Sequence, residues 1–227
     1  MLLLVTDTSG KQGFVALVRA GQEQADGIQV VGELPLEGGT FSALLVPQIS
    51  ELLEKHRFAK GALDAFVAVA GPGSFTGLRV GLAAIKALAE ILQKPIVPVS
   101  LLEVVAIGGN AEDNLLAVLD AGRGEVYIGD YEVRGSTARC RSERLLPRGD
   151  FPRTAPGFAV CTPDRSLAQT ALDAGLAVHH VTIDVETIAR VGWRKLRDGR
   201  TVSSEQLEAN YIRRSDAEIF SKTSFGQ

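Results

Sequence analysis

The chain has 227 residues, 45% of them hydrophobic and 22% charged, with a net charge of −3. That is enough chain for two modest domains or one larger one around a buried core. The acidic balance argues against a protein that holds nucleic acid alone through phosphate contacts, and no run approaches the roughly 18 apolar residues of a membrane span.

The elements begin with "MLLLVTDTSG", which lacks a basic leader and reads as a strand, so a cytoplasmic protein is expected. "LLLVTDTSGKQGFVALVRAGQ" is strand, tight turn and strand around Asp7, Thr8, Ser9 and Gly10. A third strand from Ile28 to Leu34 would complete a meander. "TFSALLVPQISELLEKH" places Phe41, Leu45, Ile49, Leu52 and Leu53 on one helical face. Pro47 inside it predicts a kink, or a helix that starts near Val46. "ALDAFVAVA" has almost no polar alternation, as in a strand buried on both faces. It runs into "GPGSFTGLRVGLAAIKALAEIL", a glycine-rich loop opening a long apolar helix, and "KPIVPVSLLEVVAIGG" adds a strand and a helix.

The opening pattern then returns. "NLLAVLDAGRGEVYIGDYEV" is again an apolar strand, an aspartate (Asp120), a glycine turn and a second strand. Asp7 and Asp120 hold matching places in two similar hairpins. A repeat of this size suggests two domains of related topology; the plainer reading is that Asp favours turns. Residues 134–156 lack apolar periodicity and read as a polar connection. Its arginines (Arg134, Arg139, Arg141, Arg144, Arg148, Arg153) could touch RNA phosphates, but no aromatics interleave them, which favours a solvated loop. Beyond it, "GFAVCT", "DRSLAQTALDAG" and "LAVHHVTI" read as strand, helix, strand, and "DVETIARVGWRKLRDG" as an amphipathic helix capped by Asp184. "ANYIRRSDAEIF" has no period and is expected to dock through Tyr211 and Ile212. Strands alternating with helices make the fold α/β.

Motifs for chemistry are few. The glycine loop fails as a Walker A loop because Leu78 and Arg79 follow Gly77, with no lysine. It fails the dinucleotide spacing because Gly71, Gly73 and Gly77 are one residue too wide at the second gap. It fails as a hydrolase elbow because Pro72 and Thr76 flank Ser74. His56, His179 and His180 form no metal pair and support no triad. Cys140 and Cys161 have neither metal nor disulfide spacing and read as buried, reduced thiols. Asp7 with Thr8, mirrored by Asp120, could lie under nucleotide phosphates as in sugar-kinase and actin-like folds; the alternative is a hairpin turn with local hydrogen bonds.

The helix after the loop carries more information. Its polar side chains, Arg79, Lys86, Glu90 and Gln93, fall within an arc of about 60°. So narrow a stripe predicts a helix covered on two sides. Opposite it, Gly77, Gly81, Ala84 and Leu88 form a small-residue track. A helical glycine costs about 1 kcal/mol against alanine, so two of them predict a close approach to the backbone, by an internal element or by a partner.

Together "VTDTS", "LLVPQISELL", "AVAGPGSFTGLRVGL", "PIVPVSLLE", "LDAGRGEVYIGDY" and "ANYIRR" resemble the bacterial TsaB (YeaZ) family, over essentially the whole chain and most densely between residues 65 and 131. The resemblance implies an actin-like ATPase (ASKHA) fold of two ribonuclease-H-like lobes. Residues 1–105 would form the N-terminal lobe with the docking helices and 106–204 a smaller C-terminal lobe, while a tail from about 205 to 227 packs back on the first. It further implies a non-catalytic scaffold for the transfer of threonylcarbamoyl to the adenosine beside the anticodon of tRNAs reading codons that start with A. The expected partners are the catalytic relative TsaD, the ATPase TsaE, a second copy when TsaD is absent, and tRNA only through the complex. No catalytic residue, metal or cofactor is expected on this chain, ATP being used by the complex; Phe41 and Leu45 stand where the metal-binding histidines of TsaD would fall. The resemblance makes Phe41, Leu45, Ile49, Leu52, Phe75, Leu78, Arg79, Leu82 and Ile85 the partner interface, so a charge at Leu78 or Leu82 should abolish TsaD binding and spare the fold. Asp7, Thr8 and Asp120 would be vestigial phosphate loops. The alternative is a stand-alone actin-like ATPase using Asp7 and Asp120, or a glycoprotease-type peptidase.

Overall fold

The computed structural model describes residues 1–21, 27–109 and 113–212; residues 213–227 of the expected tail lie outside the described residues. Five strands, β1 (Leu2–Asp7), β2 (Gln12–Ala20), β3 (Ile28–Glu37), β4 (Ala65–Gly71) and β5 (Ile96–Ser100), form a sheet in the order β3-β2-β1-β4-β5. The first three are antiparallel neighbours, and β4 and β5 run parallel to β1. A second sheet repeats the plan. Its strands β6 (Asp113–Gly122), β7 (Glu125–Arg134), β8 (Thr137–Pro147), β9 (Ala159–Thr162) and β10 (Val178–His180) lie in the order β10-β9-β6-β7-β8, with the same pattern of directions. The two matching hairpins are therefore the visible part of two complete, related sheets.

Strand alternation sorts the core. Leu2, Leu4, Val15, Leu17, Phe66 and Ala68 face α1 (Phe41–Lys55) and α2 (Phe75–Leu92). Their neighbours Leu3, Val5, Ala16, Val18 and Val67 face the other way, onto α5 (Val185–Arg197) and Val104 of α3 (Leu101–Gly108). Cover on both faces explains why β4 reads as an unbroken apolar run. The remaining side of α3, with Leu102, Val105 and Ala106, packs on Leu115, Ala117 and Tyr131 of the second sheet. The outer face of that sheet is closed by α4 (Arg165–Asp173) through Leu167 and Ala171. α3 and α5 thus lie between the sheets.

Several expectations need correction. The helix with Pro47 starts at Phe41 and runs through the proline; Ala43 and Pro47 are exposed, so the missing hydrogen bond falls on the wetted side. Residues 137–147, expected within a polar connection, form the edge strand β8. An edge strand needs backbone partners on one side only and tolerates charge; Arg141 sits 3.4 Å from Glu132 and 3.8 Å from Asp130 of β7. Residues 185–204, expected in the C-terminal lobe, belong with the first sheet. α5 crosses β4 so closely that a Cβ on Gly192 would lie 2.4 Å from a methyl of Val67. Lys195 bonds Glu103 at 2.6 Å and the Pro98 carbonyl at 3.1 Å, and Val202 pairs with Ile96. Cys161 is buried, which pushes its thiol pKa up to about 12, whereas Cys140 is exposed on β8. Asp184 caps α5 as expected, accepting from the Thr187 amide at 2.8 Å. Among the described residues no helix is long and apolar enough to cross a membrane.

Candidate functional site

The glycine loop folds onto the first hairpin. The Ser74 amide donates to the Ser9 carbonyl at 2.6 Å, and a Cβ on Gly73 would lie 2.4 Å from that same oxygen. On α2, a Cβ on Gly77 would stand 2.1 Å from the Thr8 carbonyl oxygen, and one on Gly81 2.1 Å from Thr8 Oγ1. Thr8 Oγ1 in turn donates to the Gly77 carbonyl at 2.9 Å. The glycines admit the β1–β2 turn, so the close approach is internal.

This packing takes Asp7 and Thr8 out of reach. Both are buried. Asp7 Oδ1 accepts from the Ser9 amide at 2.8 Å and from Ser9 Oγ at 2.6 Å. Burial raises the Asp7 carboxyl above its ordinary range, and the Ser9 hydrogen bonds offset part of that rise. Asp120, by contrast, is exposed, and its Oδ1 accepts from the Gly122 amide at 3.1 Å. It lines an inter-lobe cleft of about 980 Å³ together with Lys11, Phe41, Phe75, Arg123 and Tyr127. Neither Asp7 nor Thr8 lines that cleft. The two matched aspartates therefore do not converge on one phosphate. Among the described residues, no three His, Cys, Asp or Glu side chains are grouped to hold a metal.

The residues expected at the partner interface divide sharply. Phe41, Leu45, Ile49, Leu52, Leu78, Leu82 and Ile85 are buried in the first lobe's own core. Phe75, 36% exposed, and Arg79 reach the surface. A helix apolar on nearly every side does not reveal which apolar face is inward. The outward face consists of Ala83, Ala87 and Ile91, the last 77% exposed, flanked by half-buried Val80 and Ala84. On α1, Leu44, Val46 and Pro47 are exposed as well. The period Ala83, Ala87, Ile91 was available in the sequence once the inward phase was known.

The polar stripe has a structural use. Arg79 Nε donates to the Tyr211 hydroxyl at 3.3 Å, and Ser204 Oγ donates to Glu90. The Arg79 guanidinium lies 3.8 Å from the centroid of the Phe75 ring, whose own centroid is 5.0 Å from that of Tyr211. The chain from 202 to 211 thus covers one flank of α2, the sheet covers the inner side, and the outer side is open.

Two sheets of ribonuclease-H-like order, with a helix from each half between them, define an actin-like protein. It is similar to the solved structure of YeaZ from Pseudomonas aeruginosa, with a TM-score of 0.71 and 25% identity over 92% of this chain and 100% of that one. Residues 38–172 match the family model described as TsaD, tRNA N6-adenosine threonylcarbamoyltransferase. Among curated proteins, the chain is similar to the tRNA threonylcarbamoyladenosine biosynthesis protein TsaB of Haemophilus influenzae, 32% identical over 78% of this chain and 71% of that one. It is similar also to the protein of that name in Escherichia coli, 33% identical over 76% of this chain and 80% of that one. With that of Bacillus subtilis it is 35% identical, over 59% of this chain and 56% of the relative's length. The chain belongs to the TsaB (YeaZ) family.

Proposed function

We propose that this chain is a non-catalytic docking subunit for the transfer of threonylcarbamoyl to the adenosine beside the anticodon of tRNAs reading codons that start with A. It acts in the cytoplasm, binds the catalytic subunit TsaD, is joined by TsaE, and pairs with a second copy of itself when TsaD is absent. It meets tRNA only within the complex, which uses the ATP. The observation that carries this reading is the outer face of α2. Ala83, Ala87 and Ile91 are exposed on a helix whose inner side and one flank are already occupied. Small side chains there let a partner helix come close, and an exposed isoleucine, once buried, contributes about 1.5–3 kcal/mol. The burial of Asp7 and Thr8 away from the cleft supports a scaffold over an ATPase.

The docking surface is accordingly Phe75, Arg79, Val80, Ala83, Ala87 and Ile91 of α2 with Leu44 of α1, and the buried leucines of both helices act by holding it in shape. Reconstituted tRNA threonylcarbamoylation with and without this chain tests the reading. Activity should require the chain, survive Asp7→Asn and Asp120→Ala, and fall with Ala87→Glu in proportion to lost TsaD binding. Activity lost in Asp120→Ala while the complex still forms would instead assign nucleotide handling to the cleft.

A further inference from the structure

We propose that Glu143 of β8 latches the C-terminal strap, residues 202–212, and through it holds Tyr211 in place as part of the docking surface; the second half of this statement rests on the docking reading above. The strap runs the length of α2. It begins with Val202 paired to Ile96 at the edge of the first sheet, and Ser204 bonds Glu90 near the helix C-terminus. Leu207 is buried in the first-lobe core. The Asn210 amide then donates to the Ala70 carbonyl at 2.7 Å, and Tyr211 stacks on Phe75 at the helix N-terminus.

Glu143 gathers donors from three parts of the molecule. Its Oε1 accepts from Ser100 Oγ of the first lobe at 2.6 Å and from the Tyr131 hydroxyl of the second. Its Oε2 accepts from Asn210 Nδ2 of the strap. Bonds to an ionised carboxylate are roughly twice as strong as neutral ones, and a carboxylate can only accept, so the polarity of the latch is set. Tyr211 itself is 42% exposed, and its surface hold is the contact with Phe75 and Arg79. Its position therefore depends on the residue before it. Exposed Tyr, Phe and Arg in one cluster are the residue types that dominate binding energy at interfaces.

Asn210→Asp sets a carboxylate against Glu143 and opens the latch. Combining it with Glu143→Gln restores donor to acceptor, because the new amide donates to Asp while its oxygen still accepts from Ser100 and Tyr131. Hydrogen exchange of the full chain is the first readout. In Asn210→Asp, the amides of residues 207–211 should exchange at least about tenfold faster, those of α4 should not change, and the double variant should return to within about threefold of wild type. No acceleration, or no rescue, overturns the latch. TsaD affinity is the second readout. Asn210→Asp and Tyr211→Ala should each weaken binding by about fivefold or more, their combination should add little, and the rescue should restore binding. A strap that opens and closes as described while binding stays constant overturns the link to docking. The docking reading itself fails separately, if Ala87→Glu binds TsaD like wild type.

Discussion

Gly81→Ala isolates the cause of the glycines in α2. In an unencumbered helix this change stabilises by about 1 kcal/mol. Here the new methyl would stand 2.1 Å from Thr8 Oγ1 and 3.1 Å from its Cβ and Cγ2. Thr8 must rotate, giving up its 2.9 Å bond to the Gly77 carbonyl and leaving a buried hydroxyl unpaired at about 1–3 kcal/mol. Crowding of a filled core adds about 1–3 kcal/mol. With the helix gain subtracted, the net loss should be about 1–5 kcal/mol, or roughly 2–20 °C in melting temperature for a chain of this size. Urea unfolding of wild type, Gly81→Ala, Thr8→Ala and the double variant measures it as a cycle. Thr8→Ala removes the offending oxygen, so the double variant should be more stable than the summed losses predict by at least about 1 kcal/mol. A neutral or stabilising Gly81→Ala in the isolated chain, or an additive cycle, would refute the internal explanation.

Leu82→Glu buries a charge in the first-lobe core and should cost more than about 4 kcal/mol, whereas Ala87→Glu on the outer face should stay within ~0.5 kcal/mol; far-ultraviolet circular dichroism during urea titration separates the two. Lys195→Ala strands the buried Glu103 carboxylate, which it meets at 2.6 Å, and should cost about 3–5 kcal/mol by the same titration. Asp7 gives a pH signature. Its folded pKa lies above the unfolded value, so the folded state binds the extra proton and stability falls as pH rises through that window. Asp7→Asn keeps an acceptor for Ser9 and removes the ionisation penalty, so it should be more stable than wild type at pH 7, with the difference closing as pH falls toward the ordinary carboxylate value of 3.8. Thermal melts from pH 4 to 8 that show no such convergence would contradict the burial argument.

What was legible in the sequence was whatever depends on local period. The paired hairpins, the doubly buried β4 and the Asp184 cap all rest on neighbouring residues, and the structure has them as read. Phase and long-range packing were not legible. Leu82 and Ile85 differ from Ala83, Ala87 and Ile91 only in which apolar side of α2 meets the sheet, and that is settled by β1 and β4. β8 has no apolar signature because its ladder with β7 is made by the backbone while Arg139 and Arg141 face outward. The hairpin repeat could have found it, since β3 already occupied the equivalent edge. Glu143 carried no sequence signal at all: its partners lie 12, 43 and 67 residues away.

The lobes share a topology but not an outer layer, and that difference supports the docking side proposed above. In the first lobe two helices, α1 and α2, cover the outer face and leave apolar side chains to solvent. In the second, the single helix α4 turns Arg165, Ser166, Gln169 and Asp173 outward around one exposed apolar residue, Leu172, with Gln169 Nε2 bonded to Asp173 at 2.7 Å. A partner helix would have to desolvate those groups without return. The first lobe's face ends where Phe75 and Tyr211 line the inter-lobe cleft. The same two rings thus border both surfaces. On the proposed docking reading, a molecule that moves them on entering the cleft would alter docking, and docking would alter its entry by the same factor.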